Sequence, residues 1–307
     1  MIAHKKAPAR WKADLALAFV ALTWGSTFVV VKSALPHIST MYFLAVRFAL
    51  AAACMLAIFL PAFRNTQSSV LWRGLRGGAV AGLLLWLGYV LQTAGLKYTT
   101  AGNSGFLTGL YIVLVPLVGA AVYRRWPQNW EVAGVAVAAA GMVVMTLPYV
   151  DAHFRMNKGD VLTLACAVAF AFHLLVLGYY SQREKFQAVA LGQIACAAAL
   201  SSLCLPFEPP RASWSGEVIA AVVLTAVFAT AIAFALQTWG QQYTTATRTA
   251  LIFALEPVFA LVTAVAVGGE RLTLSSVAGG TLILTGILAV ELKPATPAQH
   301  RIEQRQY

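Results

Sequence analysis

Charge is scarce in this chain. Only 11% of its 307 residues are Asp, Glu, Lys or Arg, against roughly 25% in an ordinary soluble domain. Acidic groups are the rarer kind, with eleven Asp and Glu in all. Asp14, Asp151 and Asp160 stand at the ends of apolar runs or in a connection. That excludes the paired intramembrane aspartates, or the nucleophile–base pair, of an intramembrane hydrolase. Cysteine is sparse as well. Cys54, Cys166, Cys196 and Cys204 all lie within apolar runs, with no CxxC or His/Cys ligand spacing. Neither a zinc site nor a disulfide framework is supported, and the four read as small helix-packing residues. Long polar connections are missing too, since the longest, 207–216 and 151–159, run to about ten residues. No connection can hold a soluble catalytic or receptor domain, so the function resides between the apolar segments.

Those segments dominate the chain, which is 60% hydrophobic. Ten runs of about 20 residues can each cross a hydrocarbon core of ~30 Å as a helix. They cover 14–35, 39–61, 77–96, 101–123, 130–150, 160–180, 187–206, 217–239, 246–267 and 273–292. Barrel strands would alternate apolar and polar at every second residue, and these runs do not. The first run follows Lys5, Lys6, Arg10 and Lys12 like the core of a signal peptide. It is too long for one and lacks a small-residue cleavage site, so it reads as a retained span.

The formal net charge is +11. With both ends cytoplasmic, 14 of the 22 basic residues fall on the inner side, whereas Lys97, Arg155, Lys158, Arg211 and Arg271 fall outside. The positive-inside rule accounts for this bias, so topology rather than nucleic acid explains the charge. The expected location is the cell inner (plasma) membrane, multi-pass, with lipid around the spans and no cofactor.

One segment occurs twice. Gln92-Thr93-Ala94-Gly95-Leu96-Lys97-Tyr98-Thr99-Thr100-Ala101 returns 145 positions later as Gln237-Thr238-Trp239-Gly240-Gln241-Gln242-Tyr243-Thr244-Thr245-Ala246, with seven of ten residues identical. The same offset pairs Gly134 with Gly279 and Gly141 with Gly286. The first spans of each half match faintly, Asp14 and Asp160 opening the first and the sixth. Five spans per half is odd, so the second half enters the membrane in the opposite sense. The expectation is an all-α membrane protein of ten transmembrane helices, as two inverted five-helix repeats around a shared midplane site. The repeats are 14–150 and 160–292, joined by an external linker 151–159 and flanked by cytoplasmic tails 1–13 and 293–307.

Polar groups inside the runs are the candidate site residues. Glu256 lies about ten residues into the ninth run, ~15 Å deep, where a carboxylate is costly and marks a functional hypothesis. Pro257 after it lacks an amide hydrogen and can kink the helix. Glu256 either binds a cation or proton there, or pairs with a neighbour to hold two helices in register. Its repeat counterpart is Tyr111, so only one half is charged. Pro116 is displaced by about one turn from the counterpart of Pro257. Arg47, eight residues into the second run, needs an ion pair, a carbonyl or an anionic substrate group. Lys32 can reach the interface, and Arg248 opens the ninth span. His173 is either a hydrogen-bonded packing residue or a proton relay. Trp24, Gln92, Asn103 and Gln237 add donors, acceptors and aromatic walls, with Ser26, Thr27, Thr108, Thr238 and Trp239 as weaker candidates. No metal site is expected.

Taken together, Trp24-Gly25-Ser26-Thr27-Phe28, Arg47-Phe48, Glu256-Pro257-Val258-Phe259 and Gly268-Gly269-Glu270-Arg271-Leu272 resemble the EamA branch of the drug/metabolite transporter superfamily. The likeness covers all ten runs, although Arg124-Arg125 replaces the last motif in the first half. It implies an inverted-repeat fold, a central cavity, alternating access and export of small metabolites or amino acids. A proton or cation is the coupling partner to test. The rival reading is a membrane scaffold or lipid scramblase.

Overall fold

The computed structural model describes residues 10–99, 101–124, 126–146, 156–268 and 272–291. The expected terminal tails, most of the 151–159 linker and Gly269-Glu270-Arg271 therefore lie outside the described residues. In lipid every backbone polar group needs an internal partner, and an unbroken apolar run supplies one only as a helix. Among the described residues the chain is helical, with no strand and a single isolated bridge, Ile38 to Ala212.

The helices are α1 (Arg10–Ala34), α2 (Thr40–Arg64), α3 (Ser68–Leu96), α4 (Ala101–Gly109), α5 (Tyr111–Tyr123), α6 (Asn129–Thr146), α7 (Lys158–Arg183), α8 (Phe186–Leu203), α9 (Gly216–Ala226), α10 (Ala233–Gly240), α11 (Ala246–Phe253), α12 (Glu256–Gly268) and α13 (Leu274–Glu291). A π-helical segment, Val227–Ile232, joins α9 to α10. Eight helical stretches among the described residues are long and apolar enough to cross a membrane, and two shorter apolar helices, Asn129–Met145 and Leu274–Val290, accompany them. Large apolar side chains such as Ile58, Leu83 and Val80 face outward, as a lipid-facing surface requires.

Two of the expected runs are each broken into two helices. The breaks fall at Leu110 and at Ala254–Leu255, and Leu110 and Leu255 are 145 positions apart. The second break is where Pro257 withholds a hydrogen from the Phe253 carbonyl. The first lies six residues ahead of Pro116, too far for that cause. Helix α3 starts nine residues before the expected 77, because its first turns carry Arg73 and Arg76 out of the apolar layer. A capping box opens α7: the Asp160 amide donates to Asn157 Oδ1 and the Asn157 amide to Asp160 Oδ2, both at 3.0 Å.

Packing relies on absent side chains. A Cβ on Gly141 would lie 2.6 Å from the Gly279 carbonyl oxygen, and one on Gly134 2.8 Å from that of Gly286. As the position rises along α6 it falls along α13, so the two helices run antiparallel in backbone contact. On α3, Gly78 and Gly82 meet the α8 backbone at Val189 and Gln193. The long 204–215 connection is tied down by Ser39 N–H to Arg211 O and Ser213 N–H to His37 O, both 2.8 Å.

Candidate functional site

The central cavity holds about 730 Å³ of empty space, counting its open mouth. Beside the weaker candidates Thr27 and Thr108, seven principal candidates from the sequence line it: Trp24, Arg47, Gln92, Tyr111, His173, Gln237 and Glu256. They come from α1, α2, α3, α5, α7, α10 and α12. The side chain of Asn103 lies outside the described residues.

Glu256 stands just past the break between α11 and α12, where its Oε1 accepts the Tyr111 hydroxyl at 2.9 Å. Its Oε2 remains for a second donor. The two residues are separated by the repeat offset of 145, so equivalent positions of the two halves touch each other. Gly25 of α1 lies directly behind, where a Cβ would be 2.4 Å from the Glu256 carbonyl oxygen.

Arg47 is buried, at 4% exposure, and no carboxylate lies within ion-pair distance among the described residues. Its Nε donates to Thr230 Oγ1 at 2.8 Å, and Nη2 donates to Tyr89 Oη at 3.3 Å and to the Ala229 carbonyl at 3.4 Å. The guanidinium also lies 4.8 Å from the Tyr89 ring centroid. The two N–H bonds of Nη1 are left for a ligand. Both Ala229 and Thr230 belong to the π-helical segment, a winding that recurs at functional sites. The Thr230 hydroxyl donates five residues back, to Thr225 O at 2.8 Å, and the Ala229 carbonyl also accepts Trp24 Nε1 at 2.9 Å. Trp24 in turn packs against Phe234 and Phe253, centroids 5.2 and 5.0 Å away.

His173 Nε2 is 2.9 Å from Gln193 Oε1, and Gln193 Nε2 donates to Thr238 Oγ1 at 3.0 Å. The Thr238 hydroxyl spends its own hydrogen on Phe234 O at 2.6 Å. These directions make Gln193 Oε1 an acceptor, so His173 carries a hydrogen on Nε2, and the neutral ring presents Nδ1 as a lone pair. Gln92 Nε2 donates to Thr108 Oγ1 at 3.1 Å.

Several weaker candidates serve packing. The Ser26 and Thr263 hydroxyls, 3.0 Å apart, join α1 to α12, and Trp239 stacks edge-on with Tyr243. Lys32 donates to the Leu96 and Thr99 carbonyls at the end of α3. Sequence reasoning passed over Tyr89, Thr230 and Gln193. Gln193 was findable by the rule that singled out His173, an amide in an apolar run. Thr230 gave no signal, because a helical threonine can satisfy itself on its own backbone.

A bundle of apolar helices around a polar, aromatic-walled cavity with a buried guanidinium and a half-buried carboxyl group defines a multi-pass membrane transporter. The chain belongs to the EamA-like transporter family, whose model matches residues 11–147 and again 157–292, giving the two-repeat architecture. An uncharacterized transporter of Archaeoglobus fulgidus is 37% identical over 284 residues, 92% of this chain and 87% of that protein. A probable amino-acid metabolite efflux pump of Salmonella typhimurium is 25% identical over 283 residues, 87% of this chain and 91% of the pump. A solved crystal structure at 23% identity shares the fold, with a TM-score of 0.76 over 92% of this chain and 98% of its own.

Proposed function

We propose that this chain is a secondary transporter that exports small organic solutes by alternating access between two inverted five-helix repeats. On this reading ten segments span the inner membrane, with both termini cytoplasmic. The repeats, 14–150 and 160–292, are related by a two-fold axis in the membrane plane. The antiparallel contacts of α6 and α13 support that relation, since swapping halves turns the Gly134–Gly286 contact into Gly279–Gly141. So does the Tyr111–Glu256 hydrogen bond, because equivalent residues can meet only astride the axis.

The observation that carries the reading is a single cavity lined by both Arg47 and Glu256 with no ion pair between them. A buried cation with no counter-charge among the described residues invites an anionic group, and a carboxyl group with a free oxygen invites an ammonium, a proton or a cation. Solutes that carry both signs fit best, with the aromatic wall taking an apolar part. The name of the Salmonella relative makes amino-acid metabolites the first solutes to test. Glu256 is also the candidate for proton or cation coupling. Scaffold or scramblase activity fits less well, because it does not call for polar groups converging on an internal cavity. An enzymatic reading fits less well, as Asp160 stands in the first turn of α7 and Asp14 in the second turn of α1.

The test compares metabolite efflux from cells overexpressing the protein with efflux from cells carrying Glu256→Ala at equal membrane abundance. Enhanced efflux of defined solutes with the native chain, lost in the variant, is the expected result. Equal efflux from both removes Glu256 from the mechanism.

A further inference from the structure

The ends of α3 and α10 are equivalent segments of the repeat, and their backbones are held alike. Lys32 donates to the carbonyls of Leu96 and Thr99. Gln182 Nε2 donates to those of Gln241 and Thr244, at 3.2 and 3.4 Å. Leu96 matches Gln241, and Thr99 matches Thr244, at the offset of 145. Their surroundings also correspond. Gly95 packs on Thr163 near the start of α7, while Gly240 packs on Leu17 near the start of α1.

The two threonine hydroxyls nevertheless differ. Thr99 Oγ1 donates to Asp160 Oδ1 at 2.7 Å, fastening α3 to α7. Thr244 Oγ1 is buried and has no hydrogen-bond partner. Such an orphan is costly and calls for an explanation. Asp14 lies three residues before Leu17 in α1, as Asp160 lies three residues before Thr163 in α7.

The rest of the molecule is unequal in the same sense. Ala250 in α11 is fully buried, whereas a Cβ on its counterpart Gly105 in α4 would meet nothing within 4 Å. Tyr111, Ile112, Val115 and Pro116 in α5 are buried, but their counterparts Glu256, Pro257, Ala260 and Leu261 in α12 are only half-buried. The end built by α11 and α5 is packed, and the end built by α4 and α12 is open. The formed Thr99–Asp160 bond lies at the open end.

We propose that Thr99–Asp160 is a latch that holds the open end in the state seen here, and that Thr244 closes the equivalent latch onto Asp14 when the other end opens. The inference rests on the inverted-repeat reading above. One bond forms as the other breaks, so each threonine stabilises one state, and the orphaned Thr244 hydroxyl is the mark of the state not occupied.

The test needs no known solute. Single reporters Gly105→Cys and Ala250→Cys are placed in the full-length protein in lipid nanodiscs and labelled with a water-soluble maleimide. The four native thiols are measured in the chain without a reporter and subtracted. Labelling at Ala250→Cys reads the other state. Thr99→Val should raise it about fivefold, the factor that one net hydrogen bond makes in a two-state equilibrium. It should also slow labelling at Gly105→Cys, and Thr99→Ser should restore both rates. Thr244→Val should lower labelling at Ala250→Cys about fivefold. That variant loses no bond in this state, so it carries the test even if Thr99→Val fails to fold. Parallel changes at both reporters, or no response to Thr244→Val, overturn the latch. Absent efflux from every variant with the opposed labelling intact would instead count against the solute-export reading alone.

Discussion

Gly25 leaves no room for a side chain beside Glu256, because a Cβ there would be 2.4 Å from the Glu256 carbonyl oxygen, a backbone atom that cannot swing aside. Gly25→Ala should therefore push α12 from α1 and shift the carboxyl away from Tyr111. The expected outcome is a protein that inserts and can be purified but loses most of its efflux. Undiminished efflux at equal abundance would show that the Glu256 position tolerates displacement. Thr230→Val tests the other pole of the cavity. It strips the acceptor from the buried Nε of Arg47, an orphaning worth about 1–3 kcal/mol. The unfolding temperature of purified protein should fall, and Thr230→Ser should recover it. An unchanged unfolding temperature would mean that Arg47 finds another acceptor. Glu256, Arg47 and His173 were legible as site candidates because an ionisable group in an apolar run demands a partner. The partners of Arg47 and His173 were not legible, since Thr230, Tyr89 and Gln193 come from other segments and only the packing brings them together.

At the scale of elements, apolar run length gave the helices, and Pro257 marked the interruption at Ala254–Leu255. The other, at Leu110, falls on an ordinary apolar residue, and nothing in its chemistry announces a break. The π-helical segment before α10 was equally hidden, because VFATAI reads as plain helix. Connections were harder still. Glu208, in the long 204–215 connection, accepts the Met41 amide at 2.7 Å and the Lys97 ammonium at 3.1 Å. Partial burial alone would raise its pKa. The amide hydrogens of Met41 and Thr40, with the hydrogen bond and charge of Lys97, outweigh burial and hold it below the usual 4.5. A carboxyl with a depressed folded-state value stabilises the fold above its unfolded pKa and loses that effect as pH falls through the folded value. The native chain should therefore unfold at a higher temperature than Glu208→Gln near pH 7. The gap should narrow only as pH drops below about 4.5. A gap independent of pH down to pH 3 would show that the clip acts by shape and not by charge.

For the whole molecule, the described contacts sort the connections into two ends of the bundle, and basic-residue asymmetry argues which end faces the cytoplasm. Arg73 pairs with Glu184 at 3.3 Å, and Lys185 donates to the Ala62 carbonyl and the Thr66 hydroxyl. Residues 62–73 and 183–185 thus share one end of the bundle. Lys97 pairs with Glu208, and Ile38 bridges to Ala212 at the far ends of the same helices. The first end gathers Arg64, Arg73, Arg76, Arg183 and Lys185, and the second holds Lys97, Lys158 and Arg211. Positive charge is retained on the cytoplasmic side, so the first end should face the cytoplasm. Reporter fusions after Gln67 and Gln299 should then give cytoplasmic signals, and one after His153 an exterior signal. If Gln67 and Gln299 report opposite sides, an odd number of spans separates them and two five-helix repeats are impossible. If both report the exterior, the repeats stand but the molecule is reversed, and the open end bearing Thr99–Asp160 faces inward.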